Sequence, residues 1–155
     1  AQARPEPSPA SHAPAPLPAA AVAKRVSWSD FGSGLERARA EGRPVLVTFV
    51  TSWCGYCKKM DQVTWRSAPV VDRLAELVPV RVDAEDERKV HGFIGAELAQ
   101  RYGVSGFPAT FVLGADGGVI SRSDGFLTPA QLLQWIDRAT AGQAPARAAL
   151  QTAGR

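Results

Sequence analysis

Cys54 and Cys57 are the only cysteines in this 155-residue chain, and two residues separate them. A Cys-x-x-Cys pair can exchange disulfides with a partner. One thiolate attacks the partner's disulfide, and the second, one helical turn along, attacks the mixed disulfide and releases the reduced partner. Because the thiolate is the reactive form, the chemistry needs a setting that lowers a thiol pKa. The mostly apolar run Val45-Leu46-Val47-Thr48-Phe49-Val50 leads into Ser52-Trp53-Cys54-Gly55-Tyr56-Cys57-Lys58-Lys59-Met60. A helical pattern leads out, with Cys57, Met60 and Val63 on one face and Trp65 near its end. A strand thus delivers the pair to the first turn of a helix, where unpaired N–H groups and the helix dipole favour an anion. Cys54 is the expected nucleophile, lower in pKa and more exposed, and Cys57 the expected resolving thiol. Lys58 and Lys59 either raise the local potential or are simply solvated. Trp53 either rims the site or packs beneath the loop.

Other uses of the pair need further ligands. Haem attachment requires a histidine directly after the second cysteine, where Lys58 stands. A structural zinc site needs four ligands, and the sequence has no second Cys-x-x-Cys and no histidine pair. The alternative left open is a copper(I) module, in which Cys54, Cys57 and Met60 supply soft sulfur donors; Met60 also fits as a core residue. His12 and His91 read as solvated. The expectation is exchange with protein or peptide thiols and disulfides, with no metal and no cofactor beyond the Cys54–Cys57 disulfide itself.

Several elements must position this stretch. Ser29 or Asp30 can cap a helix running through Leu35 and Ala38 and stopped by Gly42, with Trp28 and Phe31 anchoring its start. Residues 44–50 form a strand apolar enough to be buried on both faces. After the cysteine helix, Pro69 opens a second helical stretch carrying Val70, Val71, Leu74 and Leu77. The valines of Val78-Pro79-Val80-Arg81-Val82-Asp83 alternate as a strand, and a long charged connection, Ala84 to Gly95, leads to a short helix over 96–102. Thr110 to Leu113 and Val119 to Ser121 flank the turn signal Asp116-Gly117-Gly118. Thr128, Pro129 and Gln131 mark the start of a last helix with Leu132, Leu133, Trp135 and Ile136 on its apolar face. The predicted class is α/β, a mixed central sheet of four to five strands with helices on both faces.

Residues 1–24 are dominated by Ala and Pro and read as a tether, 25–142 as the folded domain and 143–155 as a tail. The sequence starts Ala1-Gln2-Ala3, and the expectation is a mature periplasmic or secreted chain after signal cleavage, held through the tether. With 18 basic and 15 acidic residues well mixed, no patch suited to nucleic acid is expected. The apolar run ending at Val50 is far too short to span a membrane.

The segment Val45 to Met60 resembles the active-site stretch of the thioredoxin superfamily, Trp-Cys-x-x-Cys-Lys after a central strand. Tyr102-Gly103-Val104-Ser105-Gly106-Phe107-Pro108-Ala109-Thr110 resembles the superfamily's second mark, the cis-proline loop. The resemblance covers about 26–141 and implies the thioredoxin fold. It also implies a cis Pro108 facing the cysteines, a Phe107 backbone that pairs with extended substrate, and substrate contacts from Trp53, Gly55 and Tyr56. The charged connection and the Asp116 hairpin look like the C-terminal domain of the membrane disulfide reductase DsbD and small exported thioredoxins. That likeness implies a protein-disulfide reductase recharged by a membrane thiol donor of the DsbD type, with oxidant or isomerase as the alternative direction. Two departures stand out. The buried Asp of thioredoxin, six residues before its first cysteine, is Thr48 here, and its companion Lys aligns with Pro79. Cys57 must then lose its proton to water or to another carboxylate, with Glu85 and Asp86 as candidates. Between the cysteines stand Gly55 and Tyr56, not Gly-Pro, so the reduction potential does not carry over.

Overall fold

A computed structural model describes residues 24–142, together with Ala3. Apart from Ala3 and Lys24, the expected tether with His12, and the whole expected tail, lie outside the described residues. The elements in order are α1 (Phe31–Glu41), β1 (Val45–Val50), α2 (Gly55–Gln62), α3 (Ala68–Leu74), β2 (Val78–Asp83), β3 (Lys89–Val90), β4 (Phe93–Ile94), α4 (Gly95–Arg101), β5 (Ala109–Leu113), β6 (Val119–Asp124) and α5 (Pro129–Thr140).

Every residue of β1 is buried, because the strand is central and both its faces are covered. The main sheet has four strands in the order β2-β1-β5-β6, with β2 parallel to β1 and the other neighbours antiparallel. Val45, Val47 and Phe49 pack with Phe31 and Ala38 of α1 and with Leu98 and Ala99 of α4. Leu46 faces the other way, toward Met60, Trp65, Val70, Leu74, Leu132, Trp135 and Ile136. The expected mixed sheet with helices on both faces is the one observed. Pro79 is tolerated because β2 is an edge strand, where a missing N–H breaks no ladder bond. That edge is partly covered by Ser29, whose N–H donates to the Pro79 carbonyl (2.9 Å) and whose carbonyl accepts from Arg81 N–H (3.1 Å).

The caps follow the sequence signals. Asp30 accepts from Ser33 N–H at the start of α1, Gly42 ends that helix at φ 64°, and Thr128 with Gln131 closes a reciprocal capping box on α5. Two expectations need correction. Val63 does not continue the Cys57–Met60 face: α2 ends at Gln62, and Val63, its C-cap, is exposed. The charged connection is not all loop, since it folds back as the two-residue strands β3 and β4. This hairpin is fixed from outside, by Phe93 edge-on to Phe31 (centroids 4.9 Å) and by His91 Nδ1 against the Asp30 carboxylate (3.0 Å).

Gly95 joins the hairpin to α4, and a Cβ there would run into the Asp83 carbonyl at the end of β2. Gly95→Ala should therefore destabilise the domain by about 1–3 kcal/mol, because backbone has to move. Urea unfolding of the variant against the parent measures it, and an unchanged midpoint would show that the junction yields freely.

Candidate active site

β1 ends at Val50, and the chain turns through Thr51, Ser52 and Trp53 to present Cys54 as the N-cap of α2. The N-cap position places the Cys54 side chain over free helix N–H groups: Sγ accepts from Cys57 N–H at 3.1 Å. Cys54 and Cys57 are joined as a disulfide, with their Cα atoms 5.2 Å apart. Both members of the pair are buried, so the expected difference in exposure between Cys54 and Cys57 is slight. The two residues are 4% and 3% exposed, packed with Val50 and against Phe107.

What is exposed is the rim. Trp53 (67%) and Tyr56 (61%) stand in solvent, so Trp53 borders the site and does not pack beneath the loop. Trp53 lies edge-on to Phe107, with centroids 5.9 Å apart. Tyr56 lies beside Phe126, 6.3 Å away, and Lys59 Nζ sits 4.6 Å above the Phe126 ring. The Phe107–Pro108 peptide bond is cis. The Pro108 carbonyl accepts from Gly125 N–H at 2.8 Å, which ties the β6–α5 loop carrying Phe126 to the same surface. Gly55 is exposed, and a Cβ there would meet nothing. All seven residues singled out in the sequence thus lie in two adjoining loops and the first turn of α2. Phe126 joins them without a sequence signal of its own, because nothing local says that a residue after β6 reaches Tyr56.

Beneath the site, Thr48 is fully buried with its hydroxyl 3.5 Å from that of Thr110. The strand register pairs Thr48 with Arg81 and places Pro79 opposite Leu46. The residue directly across from position 48 on β2 is therefore the basic Arg81. Arg81 forks onto both carboxylate oxygens of Asp61 on α2 (2.7 and 3.0 Å) and lies over Trp28. Of the two carboxylates considered as partners for Cys57, Asp86 is turned away. The Arg88 side chain and backbone N–H hold its carboxyl down at about 2. Glu85 does reach the loop, where its Oε1 accepts from Ser52 N–H (3.2 Å) and Ser52 Oγ (3.3 Å). Met60 is fully buried in the cluster with Leu46 and Trp65, apart from the cluster that holds the cysteines, so the three sulfurs do not converge. Among the described residues no three His, Cys, Asp or Glu side chains come together as a metal site.

A Cys-x-x-Cys disulfide at a helix N-terminus, at the end of the central strand of a β2-β1-β5-β6 sheet clad by helices, is the arrangement of the thioredoxin-like disulfide oxidoreductases. The chain belongs to the thioredoxin-like domain family, whose model matches residues 31–140. It is 34% identical over 97 residues to the thiol:disulfide interchange protein DsbD of Ralstonia nicotianae, covering 62% of this chain and 15% of that protein. It is 28% identical to a thioredoxin from Thermus thermophilus, with a TM-score of 0.63 over 74% of this chain and 86% of that one. The reduced C-terminal domain of Neisseria meningitidis DsbD, 24% identical, shares the fold with a TM-score of 0.58 over 69% of this chain and 91% of that one. The family works through cysteine redox chemistry without a cofactor. Among the described residues no helix is long and apolar enough to cross a membrane.

Glu85 places a negative charge on the loop that carries Cys54, and like charge disfavours a thiolate. Removing that charge with Glu85→Gln should ease formation of the Cys54 thiolate in the reduced protein. A thiolate absorbance titration reads this directly; a pKa that stays put or rises would assign Glu85 to loop geometry alone.

Proposed function

We propose that this domain is an exported protein-disulfide reductase in which Cys54 is the nucleophile and Cys57 the resolving thiol. The observation that carries the reading is Cys54 Sγ accepting from Cys57 N–H at the N-cap of α2, the contact that would hold a thiolate once the disulfide is reduced. In the forward reaction the Cys54 thiolate attacks one sulfur of the partner's disulfide, and the partner's other sulfur leaves as a thiolate. Cys57, having given its proton to water because Thr48 cannot take it, then attacks Cys54. The partner leaves with two thiols, and this domain is left with the Cys54–Cys57 disulfide. Trp53, Gly55, Tyr56, Phe107 and Pro108 form the surface on which the partner lies.

Disulfide exchange is supported by the likeness to DsbD, described as a thiol:disulfide interchange protein, and the reductant direction is what the resemblance to its C-terminal domain implies. The same likeness supports a periplasmic setting and a membrane dithiol donor of the DsbD type, because exported compartments lack the soluble cytosolic reductants.

The reduction potential decides direction. A value near that of thioredoxin, about −270 mV, fits a reductant, whereas one near that of DsbA, about −120 mV, would sink the reductase reading. In an insulin-reduction assay Cys54→Ser should fall to the uncatalysed rate. Cys57→Ser should accumulate mixed disulfides through Cys54 that the parent does not hold; trapping through neither cysteine would remove Cys54 from its role.

A further inference from the structure

Two aromatic pairs border the disulfide, and they differ in charge. The pair Trp53–Phe107 is apolar. The pair Tyr56–Phe126 carries a cation, because Tyr56 and Lys59 are three apart on α2 and share a face. Nothing in the fold requires this second arrangement. Tyr56 belongs to none of the buried clusters and is 61% exposed, at a position where a polar side chain would be better solvated. The shelf is nevertheless built firmly. Phe126 packs against the α5-side core, the Gly125 N–H bond to Pro108 fixes its loop from one end, and the Thr128 capping box fixes it from the other.

The charge on this shelf has no internal partner. Asp61, the one carboxylate of α2, is turned to Arg81. Among the described residues neither Lys58 nor Lys59 forms an ion pair. An exposed aromatic face with an unneutralised ammonium over it binds an apolar side chain and a carboxylate side by side. We infer that Tyr56, Lys59 and Phe126 form a specificity subsite for a peptide segment whose disulfide cysteine is flanked by an acidic residue next to an aromatic or large aliphatic one. The inference rests on the oxidoreductase reading and adds the class of partner sequence to it.

The test uses three disulfide-bonded peptides whose cysteine is flanked by Glu-Phe, Lys-Phe or Glu-Ser, together with insulin, and dithiothreitol as the electron donor. The readout is the ratio of kcat/KM values between peptides within each protein, which cancels any change in Cys54 reactivity. The parent should favour Glu-Phe over Lys-Phe by about threefold to tenfold, with the preference shrinking as salt rises. Lys59→Glu should invert that ratio, and Phe126→Ala should bring Glu-Phe down to the level of Glu-Ser. Equal rates for the three peptides, or a Glu-Phe preference that survives Lys59→Glu, would overturn the subsite while leaving exchange chemistry intact. No turnover of any of the three peptides or of insulin by the parent would instead overturn the oxidoreductase reading, and the subsite with it.

Discussion

The Cys57 N–H to Cys54 Sγ contact works only if the first turn of α2 is held still, and α2 cannot hold itself. A helix of eight residues is too short to be stable alone, since nucleation costs more than so few hydrogen bonds return. Its order is borrowed from its neighbours. Met60 fixes the middle of the helix into the core under β1, and Trp65 just past its end packs edge-on to Trp28 at 4.9 Å. Asp61 ties the last turn to Arg81 on β2, and Ser52, just ahead of the helix, is held by Glu85. The sheet therefore reaches the sulfur through several modest contacts spread along the helix. The exposed ones are each worth little, and the buried side chains supply most of the stability.

The polar arrangement below the helix has been redistributed relative to the thioredoxin pattern. Thr48 and Thr110, paired by register across β1 and β5, occupy the buried level with two hydroxyls that share a hydrogen bond. A hydroxyl pair satisfies itself at small cost, whereas a carboxylate at the same depth would need a cation or a proton. Arg81, on the same face of the sheet, reaches outward to a half-exposed Asp61 in place of an acid on β1. The ionic pair thus lies at the flank of the site, where solvent lowers the desolvation penalty, and the sulfurs rest on a neutral floor.

What could be read in the sequence was local. β1, the Asp30 and Thr128 caps, the Gly117 turn and the Cys54 N-cap each depend on residues within a few positions of one another, and each is where the sequence put it. Most of what was missed is nonlocal. The strands β3 and β4, two residues each, the first exposed and the second half-buried, carry no periodic signal, and their anchors Asp30 and Phe31 lie at the start of α1. Val63 was misplaced by carrying helical spacing one residue past the end of α2. The burial of Cys54 carries no sequence signal because the residue that covers it, Phe107, comes from a loop fifty-odd positions later.

That burial changes how the rim should be understood. A sulfur in a residue only 4% exposed is open to attack from few directions, and on the proposed function the exposed Trp53 and Tyr56 border the approach. Disulfide exchange needs its three sulfurs nearly in line, so restricting the approach favours partners whose flanking residues grip the rim and hold that alignment. Small disulfides find the line only by chance collision. The aromatic rim and the buried cysteines are in this sense one device: covering the sulfur makes the contacts beside it decide which disulfides are exchanged.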